Sequence, residues 1–166
     1  MTAATPKSVA ITNFEATPII HSSPLVQQGR VFSSKEIVSV AAADSDADVF
    51  FIMPIHSSWC LNAIWLYNTA ITGGTDYNLG LYSTAGVDVD ENVYGDAIDM
   101  SSARDTAPIN ALFEIKSIAN AKKQVWQDLG LTSDPNRWYY LALTAVTVGS
   151  AAGTILVDVH YTTSVG

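Results

Sequence analysis

Three strand-length apolar runs crowd into the thirty-five residues from Asp48 to Tyr82, which leaves no room for a helix between them. Val49-Phe50-Phe51-Ile52-Met53 is bulky and β-branched, and Pro54 is expected to stop it. After His56-Ser57-Ser58, the run from Trp59 to Tyr67 alternates and sets Trp59, Leu61, Ala63, Trp65 and Tyr67 on one face. Thr72-Gly73-Gly74-Thr75 then turns the chain into Asp76 to Ser83, with Tyr77, Leu79 and Leu81 on one side and Gly80 and Tyr82 on the other. Strands linked so closely are expected to be antiparallel neighbours.

The rest of the chain repeats this pattern. Lys35 to Ala42 reads as a first strand, and Ala43-Asp44-Ser45-Asp46-Ala47-Asp48 as an acidic turn. Arg137 to Val146 is a strong strand. Thr154 to Thr162 alternates Ile155, Val157, Val159 and Tyr161 inward against Asp158 and His160, so the chain is expected to close as a hairpin around Gly149 to Gly153. Helical signal is confined to connections. Val93, Ala97 and Met100 have near-helical spacing within Asn92 to Met100. Asn120 to Leu129 has Asn120 as a cap, Val125, Trp126 and Leu129 on one face, and Gly130 as a stop. Pro108 to Ile118 leaves strand and helix both open. The expected fold is all-β, a jelly roll or related β-sandwich with one or two short connecting helices. A lipocalin-like barrel competes, but the excursion from Val87 to Asn120 suits a crossover between sheets better.

Residues 1–30 differ from the body at 31–166. Pro6, Pro18 and Pro24 break any period, yet Val9, Ile11, Phe14, Ile19, Ile20, Leu25 and Val26 make the stretch too apolar for a free tail. An extended N-terminal arm laid against a surface is expected, either on its own domain or across to a neighbouring subunit. Phe14, Ile19, Ile20, Leu25 and Val26 are the candidate partner contacts.

Charge narrows the function. The net charge is −8 and the basic residues are scattered apart from Lys122-Lys123, which argues against a groove that tracks phosphates, and so against nucleic acid. Charged residues are only 14% of the chain, where about one quarter is usual, so much of the surface is expected to be covered by other subunits. No run has the length or apolarity of a secretory leader or membrane span, so a soluble protein made in a cytoplasm is expected. The lone Cys60 excludes an internal disulfide and reads as a small buried hydrophobe.

Candidate chemistry is thin. Asp44, Asp46 and Asp48, and again Asp88, Asp90 and Asn92, match the start of a calcium loop. The sixth and twelfth places fail: Val49 and Ile55 in one, Val93 and Asp99 in the other. Solvated acidic turns are the better reading. His21, His56 and His160 lack metal-ligand spacing, and His56 and Cys60 flank a turn rather than a built pair. Neither a Gly-x-Ser-x-Gly elbow nor a phosphate loop occurs, and a Ser, His and Asp set assembled only in three dimensions leaves no trace in spacing. No catalytic residue, metal or cofactor is assigned. Trp59, Trp65, Trp138, Tyr139 and Tyr140 could stack on sugars, though their alternate spacing favours core packing.

Several segments, in collinear order over nearly the whole chain, resemble a family of capsid decoration or cement proteins of tailed bacteriophages. They are Lys7 to Asn13 with Ala16-Thr17-Pro18, Trp65-Leu66-Tyr67-Asn68 followed by Asp76 to Tyr82, Gln124 to Leu131 with Asp134-Pro135, and Ala151 to Ile155. The resemblance implies a non-enzymatic jelly-roll or sandwich domain on the outer capsid surface. Its implied partners are the major capsid protein and further copies of itself, as a dimer or trimer, with a terminal arm reaching a neighbour. A carbohydrate-binding sandwich on a phage fibre is the alternative expectation.

Overall fold

The computed structural model describes residues 9–20, 30–112 and 116–163. Eight strands follow a short N-terminal helix, α1 (Val9–Phe14): β1 (Val31–Val40), β2 (Val49–His56), β3 (Cys60–Asn68), β4 (Asp76–Ser83), β5 (Asp88–Ile98), β6 (Ile109–Asn110), β7 (Trp138–Thr147) and β8 (Gly153–Thr162). Between β6 and β7 lie a 3-10 turn, Ile118–Asn120, and the four-residue helix α2 (Val125–Asp128).

Two four-stranded antiparallel sheets form, one in the order β1-β8-β3-β6 and the other β2-β7-β4-β5. The pairs β1·β8, β2·β7, β3·β6 and β4·β5 are nested like a long hairpin, and β3·β8 and β4·β7 complete the two sheets. This is the all-β sandwich expected, with the connectivity of a jelly roll. Among the described strands only β4 and β5 are both consecutive and paired. The strands β2, β3 and β4 were expected to be neighbours, but they alternate between sheets, and β7 and β8 likewise face each other across the core instead of closing a hairpin. The reason is burial: each sheet presents one apolar face, and both faces are covered when the chain crosses from one to the other.

The core lies between the sheets. Tyr77, Leu79 and Leu81 of β4 meet Ile155, Val157 and Val159 of β8, all fully buried, as their alternation predicted. Tyr77 Oη donates to Val148 O at 2.7 Å, so its hydroxyl is satisfied inside. Burial pushes that phenol up to about 12.

Local expectations fail where a bulge or an edge intervenes. Pro54 lies inside β2, opposite Tyr140, because β2 is an edge strand and a proline there need not break a ladder bond. In β3 a register shift between Leu61 and Ala63 reverses the alternation. Leu61, Ile64 and Leu66 are therefore fully buried, while Trp65 and Tyr67 lie on the outer face. The region read as helical, Asn92 to Met100, belongs to strand β5 and the turn after it. Three irregularities against β4 and a positive φ of 53° at Ala97 bend the strand, so that of the stripe read as inner only Met100 is buried, while Val93 is half-buried and Ala97 exposed. The second helix is shorter than its sequence signal and is capped by Gln124, whose N–H donates to Gln127 Oε1 at 3.0 Å. Asn120 ends the 3-10 turn and does not cap the helix. Gly130 follows with a φ of +70°, as its stop role requires.

Candidate interaction surface

The N-terminal segment is not uniformly extended. Residues 9–14 form α1, and Ile20 N–H donates to Asn13 O at 3.1 Å, which folds the chain back on the helix. Ile19 and Ile20 are 53% and 56% exposed. Phe14 ends α1, and Leu25 and Val26 lie outside the described residues.

A row of rings crosses one end of the sandwich. Phe32 stacks on Tyr161 at 5.7 Å, Tyr161 on Trp59 at 4.1 Å and 7°, Trp59 meets Trp138 edge-on at 5.4 Å, and Trp138 meets His56 at 5.0 Å. Trp138 is 47% exposed, so it is not the core residue its spacing suggested. The five aromatics singled out in the sequence do not form one platform. Tyr139 is in the core with its hydroxyl accepting from Arg137 Nε at 2.9 Å, Tyr140 packs on Phe51, and Trp65 faces outward from β3. Phe32 and Tyr161 carry no local mark of this role, because only the β1·β8 register brings them together.

The outer face of the β1-β8-β3 sheet carries a polar cluster. Ser33 Oγ donates to Asp158 Oδ1 at 2.8 Å, His160 Nε2 lies 3.2 Å from the same oxygen, and Lys35 Nζ lies 3.4 Å from Oδ2. Burial alone would raise the Asp158 carboxyl, but the Ser33 hydrogen bond and the His160 and Lys35 charges outweigh it and hold it below its ordinary value. A serine, histidine and aspartate thus meet at bonding distance, but in the wrong order for a nucleophile. The hydroxyl donates its hydrogen bond to the carboxylate, and the imidazole addresses that carboxylate rather than the hydroxyl. Beside the cluster, Tyr67, Leu156 and Ile37 stand in register across three strands, next to a shallow concavity of about 410 Å³.

A cleft of about 330 Å³ opens between β5 and the loop before α2, lined by Asp90, Tyr94, Asp96, Lys116, Lys123 and Asp128. Lys116 Nζ donates to Asp128 Oδ2 at 2.9 Å and to Lys123 O at 3.2 Å, and Tyr94 Oη donates to Asp128 Oδ2 at 3.3 Å. Burial pushes the Asp128 carboxyl up, against the pull of Lys116.

The acidic turn serves the backbone. Asp44 accepts from Ala41 N–H at 2.7 Å, Asp48 from Ser45 N–H at 2.7 Å, and Asp46 from Val148 N–H at 3.0 Å. Among the described residues no group of three or more His, Cys, Asp or Glu side chains is placed to hold a metal ion. Among the same residues no helix is long and apolar enough to cross a membrane.

Two solved phage capsid structures resemble this architecture. A chain in the capsid of Ralstonia phage GP4 matches with a TM-score of 0.58 at 9% identity, over 88% of this chain and 93% of that one. A chain in the capsid asymmetric unit of cyanophage Pam1 matches with a TM-score of 0.48 at 15% identity, over 98% and 93%. No protein-family model matches the sequence, and no curated protein matches it. At 9% identity the GP4 likeness shows a shared fold, here spanning nearly the full length of both chains.

Proposed function

We propose that this chain is a non-enzymatic structural protein of a phage virion, which decorates the outer capsid surface and cements neighbouring capsomers. The observation that carries the reading is the fold shared, nearly end to end, with a chain of a phage capsid. The exposed Ile19 and Ile20 and the low charged fraction support it, since a surface of this kind is stabilised by being covered. Its partners are the major capsid protein and further copies of itself. Many weak apolar contacts repeated over a lattice would hold it firmly, because each bound site raises the effective concentration at the next. The segment from Met1 to Arg30, with Phe14, Ile19, Ile20, Leu25 and Val26, makes the reach to a neighbour.

Deleting residues 1–30 tests this. Among the described residues the buried core includes none before Val40, so the truncated body is expected to fold and to lose binding to assembled shells. A truncated protein that still decorates shells would defeat the role given to the arm.

A second reading, a carbohydrate-binding module on a phage fibre, draws on the exposed Trp138 beside Trp59. The perpendicular rings offer a sugar one face at a time. Silence on a glycan array would count against it.

A further inference from the structure

Four strands form the edges of the two sheets, and three are closed to further pairing. β6 offers only two residues, β2 carries Pro54 and a register shift after Phe51, and β5 is bent by three irregularities. β1 is different. Its ten residues run in unbroken register with β8, contain neither proline nor glycine, and pair with no described residue on their other side. Alternate N–H and C=O groups along that side point away from the sheet. The side chains do little to discourage a partner: Ile37 is 63% and Val31 62% exposed, and the two charges, Lys35 and Glu36, cancel.

We propose that β1 pairs antiparallel with β1 of a second copy across a two-fold axis, Ile37 facing the partner's Ile37, so that two four-stranded sheets become one of eight strands. A second copy brings the same edge, the single open one among the described residues, so the pairing consumes both and closes. Each chain carries a net charge of −8, and β1 is a neutral stretch at which two such chains can meet.

The register follows from the pleat. A two-fold axis normal to the sheet keeps the same faces together, so opposed residues must share a face and one residue must oppose itself. An axis at Lys35 or Glu36 sets like charges opposite each other. An axis nearer either end pairs fewer residues, and one at Ser34 sets the Glu36 carboxylate against Phe32. An axis at Ile37 opposes Lys35 with Ser39 and Glu36 with Val38. It covers the most exposed apolar side chain of the strand and continues the row Tyr67, Leu156, Ile37 across the seam.

This pairing gives the self-association in the virion reading a surface, and it can be tested without a shell. The full chain is expected to sediment as a dimer. Ile37→Cys is expected to form a disulfide-linked dimer on oxidation, since directly opposed residues bring Cα atoms to about 4.5–5.5 Å. The native Cys60 is buried and does not compete. Ile37→Lys, which sets two ammonium groups face to face, is expected to raise the dimer dissociation constant about tenfold or more with an unchanged circular dichroism spectrum. A wild-type monomer or trimer overturns the proposal, as does a dimer that cross-links through Ser34→Cys and not through Ile37→Cys. A monomer that still binds shells overturns this pairing and leaves the virion reading standing.

Discussion

Lys116 Nζ lies 2.9 Å from Asp128 Oδ2, and both side chains are almost wholly out of solvent. The pair ties the segment after β6 to α2, two connecting elements that also send Leu112 and Val125 into the core. Taking one partner away leaves an uncompensated buried charge, which costs far more than the net worth of the pair. Lys116→Met is expected to destabilise the fold by about 3 kcal/mol near neutral pH, read by urea denaturation. Without the cation the Asp128 carboxyl rises further, so the folded state takes up a proton that the unfolded state releases. Part of the loss should therefore return as the pH is lowered towards the ordinary carboxyl range. The double change Lys116→Met with Asp128→Leu should recover most of it, and a double variant no more stable than the single one would contradict this account.

Asp158 gives the opposite pH dependence. Its carboxyl is held below the ordinary value of 3.8, so its contribution is complete above 3.8 and disappears as the pH falls through the folded-state value. Asp158→Asn is expected to cost about 1 kcal/mol at neutral pH and to flatten the acid limb of the stability profile. Ser33→Ala, which removes the hydrogen bond at 2.8 Å, should move the Asp158 titration upward in a carboxyl-resolved NMR experiment. A titration that stays in place would show that the charges of His160 and Lys35 do the holding alone.

Gly80 of β4 lies hard against the backbone of β5. A Cβ there would run into the backbone of Asp90 and Glu91, and backbone cannot swing aside as a side chain can. Gly80→Ala is expected to cost about 3 kcal/mol, seen as a lower denaturation midpoint with little change in the slope. The contrast is Gly130, where a Cβ meets nothing and only the positive φ resists, so Gly130→Ala should cost about 1 kcal/mol.

The sequence alone determined the class of fold and much of its core. Alternation in Tyr77, Leu79, Leu81 and in Ile155, Val157, Val159 is a local property of a pleated chain with one face buried, and it needs no partner to be read. The positive φ at Gly73, Gly130 and Gly149 was likewise visible, since turns demand residues that tolerate it. Only the tertiary structure decided which strands pair. The exchange of β2, β3 and β4 between sheets, the place of Pro54 within an edge strand and the reversal of faces in β3 all depend on what lies opposite, and no single segment contains that information. The same holds for the two polar clusters. Ser33 and Asp158 stand 125 positions apart, and nothing in the local sequence around Lys116 points to Asp128, which only the fold brings to it. Periodicity records which side of a segment is buried, whereas contact between distant residues is set by how the buried sides are stacked.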